Sequence, residues 1–159
     1  MSIPGSALAD APDPRRNLRL MDEEQPFFLH DEYGLPLLRY TYYPAEQLLH
    51  TQWYGNLTAD SVIFGAQTTL VLAQQLGYAY LLNDTSQTTG DWSEAMAWLE
   101  YEWLPQAQEY GLRACAYVYT QNMDNQLMAL DFLTHLEAYL PIKPFPDLEA
   151  ARAWLLQQR

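Results

Sequence analysis

Apolar and polar positions change period several times along the chain, and each change marks a predicted element. Phe27-Phe-Leu-His30 and Leu37-Leu-Arg-Tyr-Thr-Tyr42 flank the turn-forming Asp31-Glu-Tyr-Gly34, which predicts a β-hairpin. A third strand is predicted at about 46–54, with Leu49, Thr51 and Trp53 on one face and Leu48, His50, Gln52 and Tyr54 on the other. The period then turns helical. Thr58 fits an N-cap, Val62, Ala66, Leu70 and Ala73 recur at helical spacing, and Gly77 is a stop. Tyr78-Ala-Tyr-Leu-Leu82 is a continuous apolar run, expected of a strand covered on both faces. The polar segment Asn83-Asp-Thr-Ser-Gln-Thr-Thr-Gly90 reads as the loop after it.

Asp91 is placed as the cap of the next helix, with Glu94 as its capping-box partner. Trp92, Ala95, Met96 and Leu99 form one stripe of that helix; Trp98, Tyr101 and Leu104 form a second. Pro105 is predicted to end or bend it, and Gly111 to stop any continuation. Residues 112–119 alternate as a strand, with Ala114, Ala116 and Val118 on one face and Cys115, Tyr117 and Tyr119 on the other. Asp124 is placed as the cap of a helix reaching about 139, and 141–145 as a short extended piece kept at an edge by its prolines. Asp147 caps the last helix, where Leu148, Ala151, Trp154 and Leu155 face the core. The order β-β-β-α-β-α-β-α-(β)-α predicts an α/β fold: a single mixed, partly parallel sheet with an N-terminal antiparallel hairpin and about four flanking helices. Its expected core includes Trp53, Val62, Leu70, Leu81, Leu82, Ala116, Val118, Leu130 or Leu133, and Leu155.

Composition bounds this picture. The 159 residues suit one domain at 25–159; residues 1–24 carry three prolines and no apolar period, and are expected to be a tail or irregular arm. Hydrophobic residues at 49% exclude global disorder, while 14% aromatics, including 12 Tyr and 5 Trp, is a high share that core packing alone can account for. The alternative is that some of these rings form a ligand or partner surface. The net charge of −12, with Arg15-Arg16 the one adjacent basic pair, argues against nucleic acid and anionic membranes. Cys115 stands alone, so no internal disulfide forms. No basic-then-apolar leader and no apolar run of about 18 residues occurs, so the expectation is a cytoplasmic protein without a membrane span.

Candidate chemistry is sparse. His30, His50 and His135 show no metal-ligand spacing, and the seven glycines form no phosphate-binding loop, so neither metal nor cofactor is implied. Cys115, between alanines, reads as buried and inert, and no serine sits in a nucleophile elbow. Asp84 and Asp91 bracket the polar segment at the carboxyl end of an apolar strand, where open α/β sheets bind ligands. Asp84, Thr85, Ser86, Thr88, Thr89, Gly90 and Asp91 therefore form a candidate interaction or phospho-acceptor loop. Trp98 and Tyr101, off the sheet-facing stripe, form a candidate aromatic interaction face.

Three segments carry a family resemblance. Leu81-Leu-Asn-Asp84 followed by Gly90-Asp-Trp92, then Gly111-Leu-Arg-Ala-Cys-Ala-Tyr-Val118, then Phe145-Pro-Asp-Leu-Glu-Ala-Ala-Arg-Ala-Trp154-Leu155 resemble STAS domains of anti-sigma-factor antagonists, in particular their divergent SpoIIAA-like bacterial branch. The resemblance covers about residues 35–158. It implies a non-enzymatic binding or regulatory module acting through protein–protein contacts, and it is compatible with a homodimer. In the antagonists an Asp-Ser-Ser-Gly pattern carries the phosphorylated serine. Here Asp84 matches the strand-end aspartate and Thr88-Thr89-Gly90 the rest, but Gln87 stands where the second aspartate belongs. Lipid-binding relatives of that fold open an alternative, a carrier of a small apolar ligand in an aromatic-lined cavity. A third reading is an enzyme without a recognised motif, built on Asp84, Thr85 and His50.

Overall fold

Six strands hydrogen-bond in chain order into one mixed sheet: β1 (Phe27–His30), β2 (Pro36–Tyr43), β3 (Leu48–Asn56), β4 (Tyr80–Thr89), β5 (Ala114–Val118) and β6 (Ile142–Phe145). The computed structural model describes residues 26–159, so the predicted tail at 1–24 lies outside the described residues. Strands β1, β2 and β3 run antiparallel, and β3 to β6 run parallel. Four helices connect or follow them: α1 (Ala59–Leu76), α2 (93–109), α3 (Met123–Leu136) and α4 (Leu148–Leu156). The fold is the α/β architecture expected.

Local chemistry sets the boundaries. The Asp31 carboxylate accepts from the backbone N–H of Tyr33 and Leu35 and closes the hairpin turn. Thr58 and Ser61 form a reciprocal capping box at the start of α1, and Gly77, at φ 64°, ends it in the left-handed region. Asn122, not Asp124, caps α3 by accepting from the Asn125 N–H; both residue types cap well, and the chain enters the helix two positions earlier. Strand β3 starts two residues late because Pro44–Glu46 form a 3-10 turn and Gln47 leaves it at φ 53°.

The two sheet faces are covered unequally. The strands add in one direction and residues of α1, α2 and α3 join one core cluster, so these helices share a face, as parallel connections of one hand require. There Val62, Leu72, Leu104, Phe132 and Leu133 pack on Leu38, Tyr40, Leu49, Leu81 and Tyr117. The opposite face receives α4 alone, whose Ala151 and Leu155 sit on Leu82, Ala114, Ala116 and Val118. Arg152 extends from α4 to Glu46 and stacks 4.4 Å over the Tyr43 ring. Leu70 and Leu130 are half-buried at the margin of the core, and Leu148 is exposed. Those three contribute less to the interior than their spacing predicts.

Helix α1 lies close on the sheet at Gly65. A Cβ there would stand 2.5 Å from both Leu38 Cδ1 and Trp53 Cη2. Its carbonyl also accepts from the buried Tyr40 hydroxyl at 3.1 Å. Gly65→Ala should therefore destabilise the fold by about 1–3 kcal/mol, the usual range for overpacking, despite alanine's better helix propensity. Urea denaturation measures this; a variant as stable as the parent would show that α1 is free to lift.

Candidate functional site

Strand β4 is central, and it does not stop where its apolar run stops. Residues 83–89, expected as a loop, continue as strand because the β3 backbone pairs with them as far as Asn56 opposite Thr89. Polar composition imitates a loop here, while the ladder to β3 satisfies the backbone. A register shift between Gln52 and Tyr54 puts two β4 residues, Thr85 and Ser86, opposite Trp53. Bulges of this kind re-aim side chains and are frequent beside functional sites.

Within the thick, three-helix layer lies a cavity of about 100 Å³. Its wall is mostly apolar: Leu81, Cys115 and Tyr117 from the sheet, Val62 and Ala66 from α1, Leu99, Trp103 and Leu104 from α2, and Phe132, Leu133 and Leu136 from α3. Asn83 enters this wall from β4. Its Oδ1 accepts from Trp53 Nε1 and from Thr51 Oγ1, each at 2.7 Å. An indole nitrogen only donates, so the atom facing it must be the oxygen, and the amide nitrogen is turned the other way. No described residue accepts from that Nδ2 group.

Helix α2 shapes the outer wall of the cavity. It begins as a 3-10 turn at Ser93–Ala95 and widens into a π turn at Leu99–Trp103, where the Leu104 N–H bonds to the Leu99 carbonyl. Pro105 comes next; it has no N–H for the turn before it, and its ring crowds that turn's carbonyl. The widened turn relieves the conflict and carries Leu99 and Trp103 to the cavity. Trp103 Nε1 donates 2.9 Å to the Ala66 carbonyl, tying α2 to α1. Asp91 caps differently from expectation. Its carboxylate accepts from the Ser93 N–H in a local turn, Trp92 holds the N-cap position, and Glu94 takes no part in a capping box. Those bonds from Ser93 hold the exposed Asp91 carboxyl below its usual range.

The remaining predicted site residues disperse. Thr85 donates to the Val118 carbonyl at 2.8 Å and Thr88 to the Thr85 carbonyl at 2.7 Å, and both are buried. Thr89 is exposed beside the Asn56 carboxamide, and Ser86 is half-buried. Gly90, at φ 101°, is gripped by the Leu57 backbone and accepts from the Asn125 side chain. Trp98 is half-buried and Tyr101 is 66% exposed, so these two do present a ring surface. Cys115 is buried as expected, and burial pushes its thiol up to about 12.

On the other sheet face, Asp84 and His50 do come together, while Thr85 points into the opposite layer. His50 Nε2 lies 4.0 Å from Asp84 Oδ2 and is buried without a hydrogen-bond partner among the described residues, as is Arg39 Nε. Asp84 Oδ1 accepts from the Ser86 N–H at 2.9 Å. No group of three or more His, Cys, Asp or Glu side chains suited to a metal ion occurs among the described residues. Likewise, no described helix is long and apolar enough to cross a membrane. Comparison with known proteins finds no matching family model, no matching curated protein and no matching solved structure.

Sequence reasoning picked out Asp84 and His50 but passed over Asn83, Thr51, Trp53, Trp103 and Arg39. The available signal was alternation. Leu81, Asn83 and Thr85 share one face of a strand covered on both sides, so Asn83 is a polar residue on a covered face. The His50 pair has a measurable consequence. Desolvation lowers the His50 pKa, opposed by the Asp84 charge and reinforced by Arg39 and Arg152. The folded state thus resists a proton that the unfolded chain takes up near about pH 6.5. Stability from this group is complete above that pH and declines as pH falls below it, towards the lowered folded value. His50→Gln should flatten the fall in unfolding free energy between about pH 7 and about pH 5; an unchanged slope would mean that folded His50 protonates freely.

Proposed function

We propose that this protein is a non-enzymatic, STAS-like binding module that takes up a small apolar ligand in the cavity beneath α1, α2 and α3. One observation carries the reading: an apolar cavity of about 100 Å³ into which a single carboxamide, oriented by Trp53 and Thr51, is turned. Ligand sites are commonly apolar concavities with a few well-placed polar groups. An interior kept only for stability would close around leucine and alanine, since cavities and buried amides both cost stability. The strand and helix order is the one read from the hydrophobic periodicity, and the STAS reading rests on the sequence resemblance.

Cyclopentane, a ring small enough for this space, should raise the melting temperature of the protein. At about ten times Kd, ligand linkage adds ~1.4 kcal/mol, or about 3–6 °C in a domain of this size. Ala66→Leu fills the cavity from the α1 wall and should remove that response while leaving the protein folded. If neither cyclopentane nor a co-purifying adduct in native mass spectrometry is found, this function is wrong.

A second reading, protein recognition, is favoured by the outer side of the same π turn. Tyr101 is 66% exposed and Tyr139 44% exposed, and the Tyr139 hydroxyl donates 3.0 Å to Glu100. Tyrosines serve interfaces well because one rigid ring offers both apolar area and a hydrogen bond. If the partner is a second copy of the chain, sedimentation should show a dimer that Tyr101→Ser weakens by about tenfold or more, a hot-spot-sized effect. A dimer untouched by that change would place the interface elsewhere.

A further inference from the structure

The cavity's chemistry narrows what can occupy it, and this narrowing rests on the ligand-binding reading. Size comes first. An engineered apolar cavity of roughly 150 Å³ takes up benzene, and the present one is about 100 Å³. That suits one small ring or a short branched chain, and it is too small for a fatty acyl tail.

Charge comes second. Among the described residues, no Asp, Glu, Lys, Arg or His lines the cavity. A carboxylate or ammonium brought inside would lose its water with no opposite charge to replace it. The ligand must be neutral.

Hydrogen bonding comes third. Three hydroxyls on the wall are already committed as donors: Thr51 to Asn83 Oδ1, Thr69 to the Gly65 carbonyl at 2.9 Å, and Thr85 to the Val118 carbonyl. Tyr117, also on the wall, carries a hydroxyl that can both donate and accept. The Asn83 Nδ2 group has no acceptor among the described residues, and Trp53 prevents the carboxamide from flipping to offer its oxygen instead. A donor left without an acceptor in an apolar site selects for a ligand that brings one, because a ligand lacking it leaves the amide unpaired.

We infer that the cavity binds a small neutral ring-sized compound carrying one hydrogen-bond acceptor, such as a ketone or aldehyde oxygen, which takes its hydrogen bond from Asn83 Nδ2.

Four probes separate the possibilities: cyclopentane with no polar atom, cyclopentanone with an acceptor, pyrrole with a donor, and decanoate as a long anion. Affinities would be read from the fluorescence of Trp53 and Trp103, which line the site. The Asn83 side-chain amide resonances would report the contact itself. Cyclopentanone should bind about tenfold more tightly than pyrrole, which matches it in size and polarity, and should shift the Asn83 amide protons. Decanoate should not bind. Asn83→Asp keeps an acceptor for Trp53 and Thr51 but replaces the amide donor with oxygen, so it should reverse the order to favour pyrrole. Equal affinity for the two rings, tight decanoate binding, or an unreversed order in a folded Asn83→Asp protein would overturn the inference. Should that variant not fold, the parent protein's ring preference and amide shifts decide. Binding of cyclopentane without acceptor preference would leave the cavity reading standing and this inference lost; no binding by any of the four would remove both.

Discussion

The direction in which strands join the sheet governs how the whole molecule is layered. From β3 onwards each new strand is added on the same side, and every parallel connection crosses over with the same hand. Three helices must then share one face while the other is left to the final helix. The crowded face is accommodated by small residues: Gly65, Ala66 and Ala73 on α1, Ala95 and Ala107 on α2, and Ala129 on α3. Three cylinders over a twisted sheet do not tile it perfectly, and the gap that remains is the cavity. The opposite layer is thin, with Ala114 and Ala116 letting α4 approach β5.

Strand alternation then distributes polarity between these layers. Asn83 and Asp84 are neighbours on the central strand, so their side chains enter opposite layers. Asn83 goes to the thick layer, where Trp53 and Thr51 satisfy its oxygen. Asp84 goes to the thin one, where it meets the Ser86 N–H and faces His50. A polar group left unpaired away from water costs about 1–3 kcal/mol. In the thin layer His50 Nε2 and Arg39 Nε are buried without a partner among the described residues, while in the thick layer the half-buried Asn83 has a partner for its oxygen alone. Sequences violate packing rules of this kind chiefly at functional sites. The bulge at Thr85–Ser86 comes directly after the pair and turns the rest of β4 towards β3.

Much of the architecture was legible because local and global signals agree. The hairpin has its Asx turn, α1 has both caps, and β5 alternates cleanly between Cys115 and Tyr117 on one face and Ala114, Ala116 and Val118 on the other. Legibility fails where pairing is non-local. The 83–89 segment has loop composition, and only its ladder to β3, about thirty residues earlier, makes it strand. Asn122 and Asp124 compete for one cap, which composition cannot decide. The cavity is assembled from the sheet and three helices, so no single window of sequence contains it. Asp84 and His50 were legible as chemical groups, but their 4.0 Å approach depends on the parallel register of β3 and β4.

The distribution of hydroxyls bears on how such a module would signal. In the antagonists that the sequence resembles, a phosphate is added at the strand-end segment. In this chain Thr88 is buried and its hydroxyl is committed to the Thr85 carbonyl, so a kinase would have to unpair the strand to reach it. The π turn of α2 offers a shorter route between inside and outside. Leu99 and Trp103 face the cavity while Glu100 and Tyr101 face outwards. π turns lack the regular helical hydrogen bonds and recur at functional positions. A ligand pressing on Leu99 and Trp103 would act on the same five residues that expose Tyr101. On the proposed reading, ligand uptake and partner recognition would meet on one turn of helix, with no phosphate needed to connect them.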